Sequence, residues 1–345
     1  MKIDNFLINN GNTFIIAELS ANHGKDINIA KKTIYAAKMS GANAIKLQTY
    51  TADTITLRCY NDFFKLNNGS IWDGTYLYDL YKEAYTPWEW HKELINYAKE
   101  IGIICFSSPF DISAVDFLDN LNVPAYKIAS FEIFDLPLIE HVASKGKPVL
   151  ISTGLASIND INDAVEACRK MNNDQIILLQ CTSEYPAKIE EANLKTMQNM
   201  KETFQVEVGL SDHTLGIIAP VVATTLGAKV IEKHFILDKA IGGPDASFSL
   251  DPEEFKSMVD AVRDAEASLG KVDYSLSEKK IKSRKFSRSL FIVENIKSGE
   301  KFTKRNIRSI RPGHGLPPKY MNSIIGKTAR FDIERGTPLQ WDQIN

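Results

Sequence analysis

Apolar runs of strand length alternate with helix-like segments along the first three quarters of the chain. The runs are "FIIAEL" (14–19), "AIKLQTY" (44–50), "GIICFSSP" (102–109), "AYKIAS" (125–130), "PVLIST" (148–153), "IILLQCTS" (176–183), "VEVGLSDH" (206–213) and "KVIEKHF" (229–235). Most are continuously apolar at their centres, as parallel strands covered on both faces are. The segments between them carry helix signals. "NIAKKTIYAAKMSG" (28–41) sets Ile29, Thr33 and Ala36–Ala37 on one face and closes on Gly41. "TPWEWHKELINYAKEIG" (86–102) opens on Thr86 and Pro87, an N-cap and first-turn pair, and also ends in glycine. Ser157 with Asp160 resembles a capping box for 157–171. Eight strand–helix units over the length such a fold needs predict a (β/α)8 TIM barrel across residues 1–270. A doubly wound sheet is the rival, but no GxGxxG follows any strand and the eight-fold count fits closure.

One connection breaks the rhythm. About 35 residues, "TADTITLRCYNDFFKLNNGSIWDGTYLYDLYKEAY", separate the second strand from the helix near Thr86. Loops of that length are functional or disordered. This one is rich in aromatics and predicts an ordered wall of the active site. After the helix "PEEFKSMVDAVRDAEASLG" (252–270) the pattern changes again. Residues 271–286 are polar and basic, a linker with one short helix. From Ser287 short runs with turn signals predict a β-rich domain over 287–345. Within it "IKSGEKFT" and "IERGTPLQ" look weakly repeated, as in a pseudo-symmetric fold.

Composition narrows the function classes. The chain of 345 residues has a net charge of -2, which gives no reason to expect a nucleic-acid or membrane partner. "MKIDNFLINNGN" has no basic stretch before an apolar one, and no apolar run approaches the roughly 20 residues of a span. The four cysteines, Cys59, Cys105, Cys168 and Cys181, form no CxxC pair and read as thiols in a reducing cytoplasm.

The chemistry of a barrel sits where its strands end. Those ends carry Glu18, Lys46, Gln48, Ser107, Ser108, Lys127, Ser130, Ser152, Thr182, Ser183, Ser211, His213, Glu232 and His234. A strand must turn polar where it leaves the core, which accounts for serines. It does not account for Lys46 and Lys127, which sit inside "AIKLQ" and "AYKIAS" and need an anion. Two lysines among serine hydroxyls make a site for phosphate or carboxylate. His213 and His234 end neighbouring strands and can converge as neutral imidazoles on one divalent metal with open positions. Glu232 shares the strand face of His234, as a ligand or, preferably, as a lysine's partner. Glu132 and Asp245 are acids just beyond strands four and eight, suited to proton transfer or to orienting water. Asp245 also reads as a turn residue after Gly-Gly-Pro. His23, in "ANHGKD", binds substrate or caps the next helix.

The phrases "FIIAELSANHGKD", "AIKLQTY", "CFSSPFD", "AYKIASFE", "LISTGLAS", "CTSEYPA", "VGLSDHTLG" and "VIEKHF" together resemble the sialic acid synthase family. Those enzymes condense phosphoenolpyruvate with an amino-sugar acceptor to give nonulosonic acids. "RPGHGLPPKY" and "IIGKTARFDIERGTPL" are similar to that family's antifreeze-like (SAF) domain. "IWDGTYLYDLYKEAYTPWEWH" and "CFSSPF" are most similar to its pseudaminic acid synthase subgroup. "CTS" and "GPDA" stand where N-acetylmannosamine-using members tend to have CTN and GPDH.

By motif, the resemblance implies that Lys46, Ser108, Lys127, Ser130, Ser152, Ser183 and Ser211 hold phosphoenolpyruvate. It implies that His213 and His234 hold Mn2+, Mg2+ or Co2+, and that Glu18, Glu132, Tyr185 and Asp245 face the sugar or catalytic water. Arg311 would reach the acceptor's N-acetyl group from the other protomer of a domain-swapped homodimer. The implied acceptor is 2,4-diacetamido-2,4,6-trideoxy-L-altrose, and the product decorates surface polymers or flagellin. Within the family the alternative is an N-acetylneuraminic or legionaminic acid synthase, and two readings of other classes compete. A barrel lysine forming a Schiff base would make a pyruvate aldolase. A chain without catalysis would be a sugar-binding protein.

Overall fold

The computed structural model of the chain describes residues 1–9, 11–67, 69 and 72–345. Eight parallel strands close into a barrel: β1 (Phe14–Glu18), β2 (Ala44–Thr49), β3 (Ile104–Pro109), β4 (Tyr126–Ile128), β5 (Val149–Ser152), β6 (Ile176–Cys181), β7 (Glu207–Asp212) and β8 (Val230–His234). Each predicted run contains one of them, and β8 pairs with β1 to complete the ring. Every predicted helix is present: Ile27–Met39, Trp88–Ile101, Ile158–Lys170 and Pro252–Leu269. Their ends follow local chemistry. Ser157 and Asp160 cap each other reciprocally, and Gly102 ends its helix at φ 75°.

Register sorts the strand residues by face. Ile16 pairs with Glu232, Glu18 with Lys46 and with His234, Gln48 with Ser108, and Cys181 with Ser211. Paired residues on parallel strands share a face, so these line the interior. Its lower part is apolar, with Ile16, Phe106, Leu150, Ile177, Leu179 and Val230 all fully buried. Gly209 belongs to this layer by necessity. A Cβ there would lie 2.4 Å from the Val230 carbonyl oxygen and 2.8 Å from Leu179. The upper part is charged and hydroxylic.

The N-terminus adds a feature the hydrophobic pattern did not predict. Lys2–Ile3 and Phe6–Leu7 form a short antiparallel hairpin. It buries Ile3 and Ile8 and sets Phe6 4.8 Å from Phe14 at the start of β1. The aromatic connection contains a helix at Ala52–Ile55 capped by Thr51, a 3-10 turn at Asp62–Phe64 and a helix at Leu77–Ala84. Part of the "NNGSIW" phrase within it, Asn68, Ser70 and Ile71, lies outside the described residues.

The chain divides into two compact units, Met1–Gly270 and Lys271–Asn345. The second holds a helix at Glu278–Arg284 and an antiparallel pair, β9 (Ser289–Ile292) with β10 (Ile307–Ile310). Its repeated phrases pair with each other. Ile296 and Ile333 occupy equivalent places in them and exchange backbone hydrogen bonds of 2.9 and 2.8 Å. Gly299 and Gly336, also equivalent, both adopt positive φ, and Phe302 and Leu339 are both fully buried.

Candidate active site

The strand ends bring together two lysines with different partners. Lys46 Nζ, on β2, lies 3.0 Å from Glu18 Oε2 on β1 and 3.0 Å from Glu232 Oε1 on β8. It also donates to Ser108 Oγ at 3.3 Å, and Ser211 Oγ donates to Glu232 Oε1 at 3.2 Å. Gln48 Nε2 donates to Glu18 Oε1 and to Ser20 Oγ, both at 2.9 Å. Burial alone would lower the Lys46 pKa, but the two carboxylates outweigh it and raise it. Burial lifts Glu18 to about 7, against the pull of Lys46, while Lys46 and Lys127 together overcome burial and hold Glu232 below the ordinary range. Glu232 is thus the ionised partner and Glu18 the one poised to titrate.

Lys127 Nζ, on β4, donates to Ser152 Oγ at 2.7 Å and to the Ile128 carbonyl at 2.9 Å. It is 1% exposed. Among the described residues no carboxylate lies within ion-pair distance of it. Burial accordingly lowers its pKa to about 8. Ser130 and Ser183 meet around Gly154, just past β5. The Gly154 N–H donates to Ser130 Oγ at 3.3 Å, and a Cβ on Gly154 would lie 2.3 Å from Ser183 Oγ. The absence of a side chain keeps both hydroxyls and a backbone N–H clustered. Two ammonium groups, hydroxyls and a glycine turn form a preorganised anion cradle.

His213 and His234 follow β7 and end β8, with ring centroids 5.4 Å apart. His213 Nδ1 donates to the Thr182 carbonyl at 2.9 Å, which points Nε2 away from that strand end. Burial holds His234 well below the usual imidazole range, so it is neutral. Its Nδ1 has no hydrogen-bond partner among the described residues and lies 3.6 Å from Asp245 Oδ2. Burial also pushes Asp245 upward. Two imidazoles with a free lone pair each fit a divalent ion that keeps open positions. No cluster of three or more histidine, cysteine or acidic ligands occurs among the described residues, so a closed structural site is not what these residues build.

Tyr185 packs on this pair, 4.3 Å from the His213 ring and 5.2 Å from Phe248. Trp72, from the aromatic connection, covers Tyr185 at 5.6 Å, as a wall over the site would. Tyr50 meets Tyr81 and Phe110 edge-on beside it. Glu132 follows β4; burial raises its pKa to about 7, and its Oε2 has no hydrogen-bond partner among the described residues. Arg311 lies exposed in the C-terminal unit, after β10. His23 is buried against Trp90 and accepts the Lys25 N–H, while Asp26 caps the helix that follows.

Cys181 is more than a structural thiol. It faces the interior with Sγ 3.7 Å from His213 Nδ1 and 3.9 Å from Ser183 Oγ. Burial would raise its pKa, yet His213 draws it down to about 7. The same contact and the Thr182 carbonyl raise His213 in spite of burial. Alternation from Leu179 was the available signal for Cys181. Gly154 and Phe248 were likewise not expected as site residues.

The chain matches the NeuB family over residues 33–274 and the SAF domain over 287–345. It is 48% identical to the pseudaminic acid synthase of Campylobacter jejuni over 340 residues, 99% of this chain and 98% of that one. It is 38% identical to the N,N'-diacetyllegionaminic acid synthase of Legionella pneumophila over 337 residues, 96% of this chain and 94% of that one. The crystal structure of the spore coat polysaccharide biosynthesis protein SpsE from Bacillus subtilis superposes with a TM-score of 0.66 at 33% identity, covering 99% of both chains. With a barrel mouth of this composition and a match across most of its length, the chain belongs to the NeuB family.

Proposed function

We propose that the chain is a pseudaminic acid synthase. It condenses phosphoenolpyruvate with 2,4-diacetamido-2,4,6-trideoxy-L-altrose and water to give pseudaminic acid and phosphate. The observation that carries this is the anion cradle of Lys46, Lys127 and five serines beside two imidazoles at one barrel mouth. The higher identity to a pseudaminic than to a legionaminic acid synthase supports the acceptor.

Lys127, Ser130, Ser152 and Ser183 hold one anionic end of phosphoenolpyruvate, and Lys46, Ser108 and Ser211 the other. A divalent ion on His213 and His234, when bound, supplies Lewis acidity toward the acceptor's aldehyde oxygen. The cradle keeps the methylene carbon against that aldehyde carbon; the enol π pair forms the new C–C bond while the aldehyde π pair moves onto its oxygen, which takes up the proton that the water later gives to Glu132 or Glu18. Positive charge develops at the pyruvyl carbon and is met by the ionised Glu232. Water adds there and gives its proton to Glu132 or Glu18, both near pKa 7 and therefore able to accept and return it at neutral pH. The C–O bond to phosphate then breaks while the added hydroxyl gives its proton to the departing phosphate, leaving the ketone. Tyr185 and Asp245 face the sugar. No Schiff base is needed, since Lys127 and Lys46 serve as donors.

An acceptor panel with phosphoenolpyruvate, read by phosphate release and product mass, tests the assignment. The 6-deoxy diacetamido altrose should exceed N-acetylmannosamine in kcat/KM by about 10^3-fold or more, because a site built for an amide leaves buried polar groups unpaired when it is missing. A higher kcat/KM for N-acetylmannosamine would remove the acceptor reading. Trapping of pyruvate by borohydride would instead favour the aldolase.

The proposed organisation is a catalytic domain over 1–270, a linker over 271–286 and a SAF domain over 287–345, in a cytoplasmic homodimer. No helix among the described residues is long and apolar enough to cross a membrane. The linker holds the Glu278–Arg284 helix, at about 1.5 Å per residue, and its other residues span roughly 3.3–3.6 Å each when extended, so it can reach tens of ångströms and each small domain can lid the partner's barrel. Arg311 then offers its guanidinium to an acceptor amide carbonyl. Mixing an Arg311→Ala chain with a Lys127→Ala chain should restore up to about a quarter of wild-type activity, because half the chains form heterodimers with one intact site each. No recovery in a mixture shown to exchange subunits would place the lid in cis or outside the reaction.

A further inference from the structure

One buried ion pair in the barrel wall takes no part in the chemistry above. Asp212 and Lys233 are register partners on β7 and β8. Each follows a residue that faces the interior, Ser211 and Glu232, so both point outward into the layer between strands and helices. Their side chains are 1% exposed there. Lys233 Nζ donates to Asp212 Oδ2 and to the Thr214 carbonyl, each at 2.5 Å. Asp212 Oδ1 accepts the Thr214 N–H at 2.9 Å and the Thr214 hydroxyl at 2.8 Å. A ring of hydrogen bonds therefore closes around His213. The residues on either side of it are tied to each other, and both are tied to the residue directly before His234.

Other bonds complete the frame. The Ala187 N–H donates to the His213 carbonyl at 3.0 Å, and the Leu250 N–H to the His234 carbonyl at 2.9 Å. The Thr182 carbonyl fixes the His213 ring itself. A buried ion pair is a poor source of stability, since apolar residues of similar volume do as well or better. What it provides is geometry: an ammonium and a carboxylate with filled hydrogen-bond positions have one arrangement, while a methionine and a leucine have several. Here that geometry sets the distance between two strand ends, each of which carries an imidazole.

We propose that Asp212, Thr214 and Lys233 are positioning residues that hold His213 and His234 at the spacing a divalent ion requires. This rests on reading the two histidines as its ligands. The test uses the full chain, stripped of metal. Mn2+ alone is titrated in and the free ion read by electron paramagnetic resonance, while phosphoenolpyruvate affinity is measured separately by calorimetry. Asp212→Leu with Lys233→Met removes both charges together and leaves neither unpaired. It should weaken Mn2+ binding by about 30-fold, within the range found for outer groups around metal ligands. Thr214→Val, which deletes one hydrogen bond, should weaken it about threefold. Phosphoenolpyruvate affinity should stay within about twofold in both, which a general loosening of the barrel would not allow. Unchanged Mn2+ affinity in a folded double variant overturns the proposal, as does an equal loss of Mn2+ and phosphoenolpyruvate binding. If the double variant does not fold, Thr214→Val decides: selective loss supports the proposal and no loss overturns it. His213→Ala and His234→Ala run alongside. Undiminished Mn2+ binding in both removes the metal reading itself, whereas their loss of binding beside an unaffected double variant removes only the positioning role.

Discussion

Replacing Lys46 by methionine should cost the protein both its reaction and much of its stability, the second in a pH-dependent way. Its ammonium lies 3.0 Å from Glu18 and 3.0 Å from Glu232, all three nearly inaccessible to water. Removing it leaves two carboxylates in the barrel with each other and with Lys127. Losing one partner of a buried pair typically costs about 3–5 kcal/mol, because the other charge stays without compensation. That cost depends on the carboxylates being ionised. Glu18 already titrates at about 7 with Lys46 present, above its ordinary value of 4.5. A carboxyl raised in the folded state stabilises fully below its unfolded pKa and loses that contribution as pH rises through the folded one. The Lys46→Met chain should thus be weakest above pH 7 and approach wild type towards pH 4.5. Urea unfolding at pH 5 and pH 8 reads this directly, and Lys46→Met with Glu18→Gln should recover part of the loss at pH 8. The kcat/KM for phosphoenolpyruvate should fall by about 10^3-fold, as for other preorganised donors in water-poor sites. Equal destabilisation at both pH values would mean that Lys46 contributes packing rather than charge.

The difference between the two lysines marks where sequence reading ends. Lys46 and Lys127 look alike in the chain, each a cation inside an apolar strand. Which carboxylates each meets depends on barrel neighbours. Glu18 is 28 positions from Lys46 in sequence, and Glu232 reaches it only because β8 closes on β1. Strand ends were legible because an apolar run that turns charged has a single physical meaning in a parallel barrel. The histidine pair was legible for the same reason, and the repeated "IKSGEKFT" and "IERGTPLQ" phrases foreshadowed reciprocal pairing at Ile296 and Ile333. Three features were not. The N-terminal hairpin has strands of two residues each, too short for periodicity to register. Cys181 reads as an ordinary apolar thiol until register places it opposite Ser211. Asp212 and Lys233 occupy positions where alternation predicts outward polarity, and only the surrounding helices make that outside a buried place.

Lys127→Met should separate function from stability in the opposite sense to Lys46→Met. The wild-type ammonium is fully buried and held by a hydroxyl and a carbonyl, with no carboxylate in ion-pair contact among the described residues. Its pKa falls to about 8 from 10.5, which corresponds to about 3 kcal/mol of cost for carrying the charge at neutral pH. Methionine relieves that cost while leaving Ser152 Oγ and the Ile128 carbonyl without their donor, about 1 kcal/mol each. The net expectation is a protein at least as stable as wild type at pH 7, by about 1 kcal/mol. A group depressed in the folded state contributes its full share above the unfolded pKa and loses it as pH falls through the folded one. The variant's advantage should therefore be greatest below pH 8, vanish near about pH 9 and turn into a deficit of about 2 kcal/mol towards pH 10.5, where only the lost hydrogen bonds count. Function moves the other way. Beside Lys127, which meets no carboxylate among the described residues, an anion gains more than it does at Lys46, whose charge is already balanced. Wild type should bind phosphoenolpyruvate best below pH 8 and lose affinity as Lys127 deprotonates. Lys127→Met should bind it about 10^2-fold more weakly across that range, with little pH dependence of its own, and kcat/KM should fall by about 10^3-fold. Phosphoenolpyruvate should raise the melting temperature of wild type at pH 7 and barely move that of the variant. A variant destabilised by several kcal/mol at pH 7, or one that keeps the wild-type dependence of binding on pH, would show that Lys127 is held as a structural ion and that the anion is captured elsewhere.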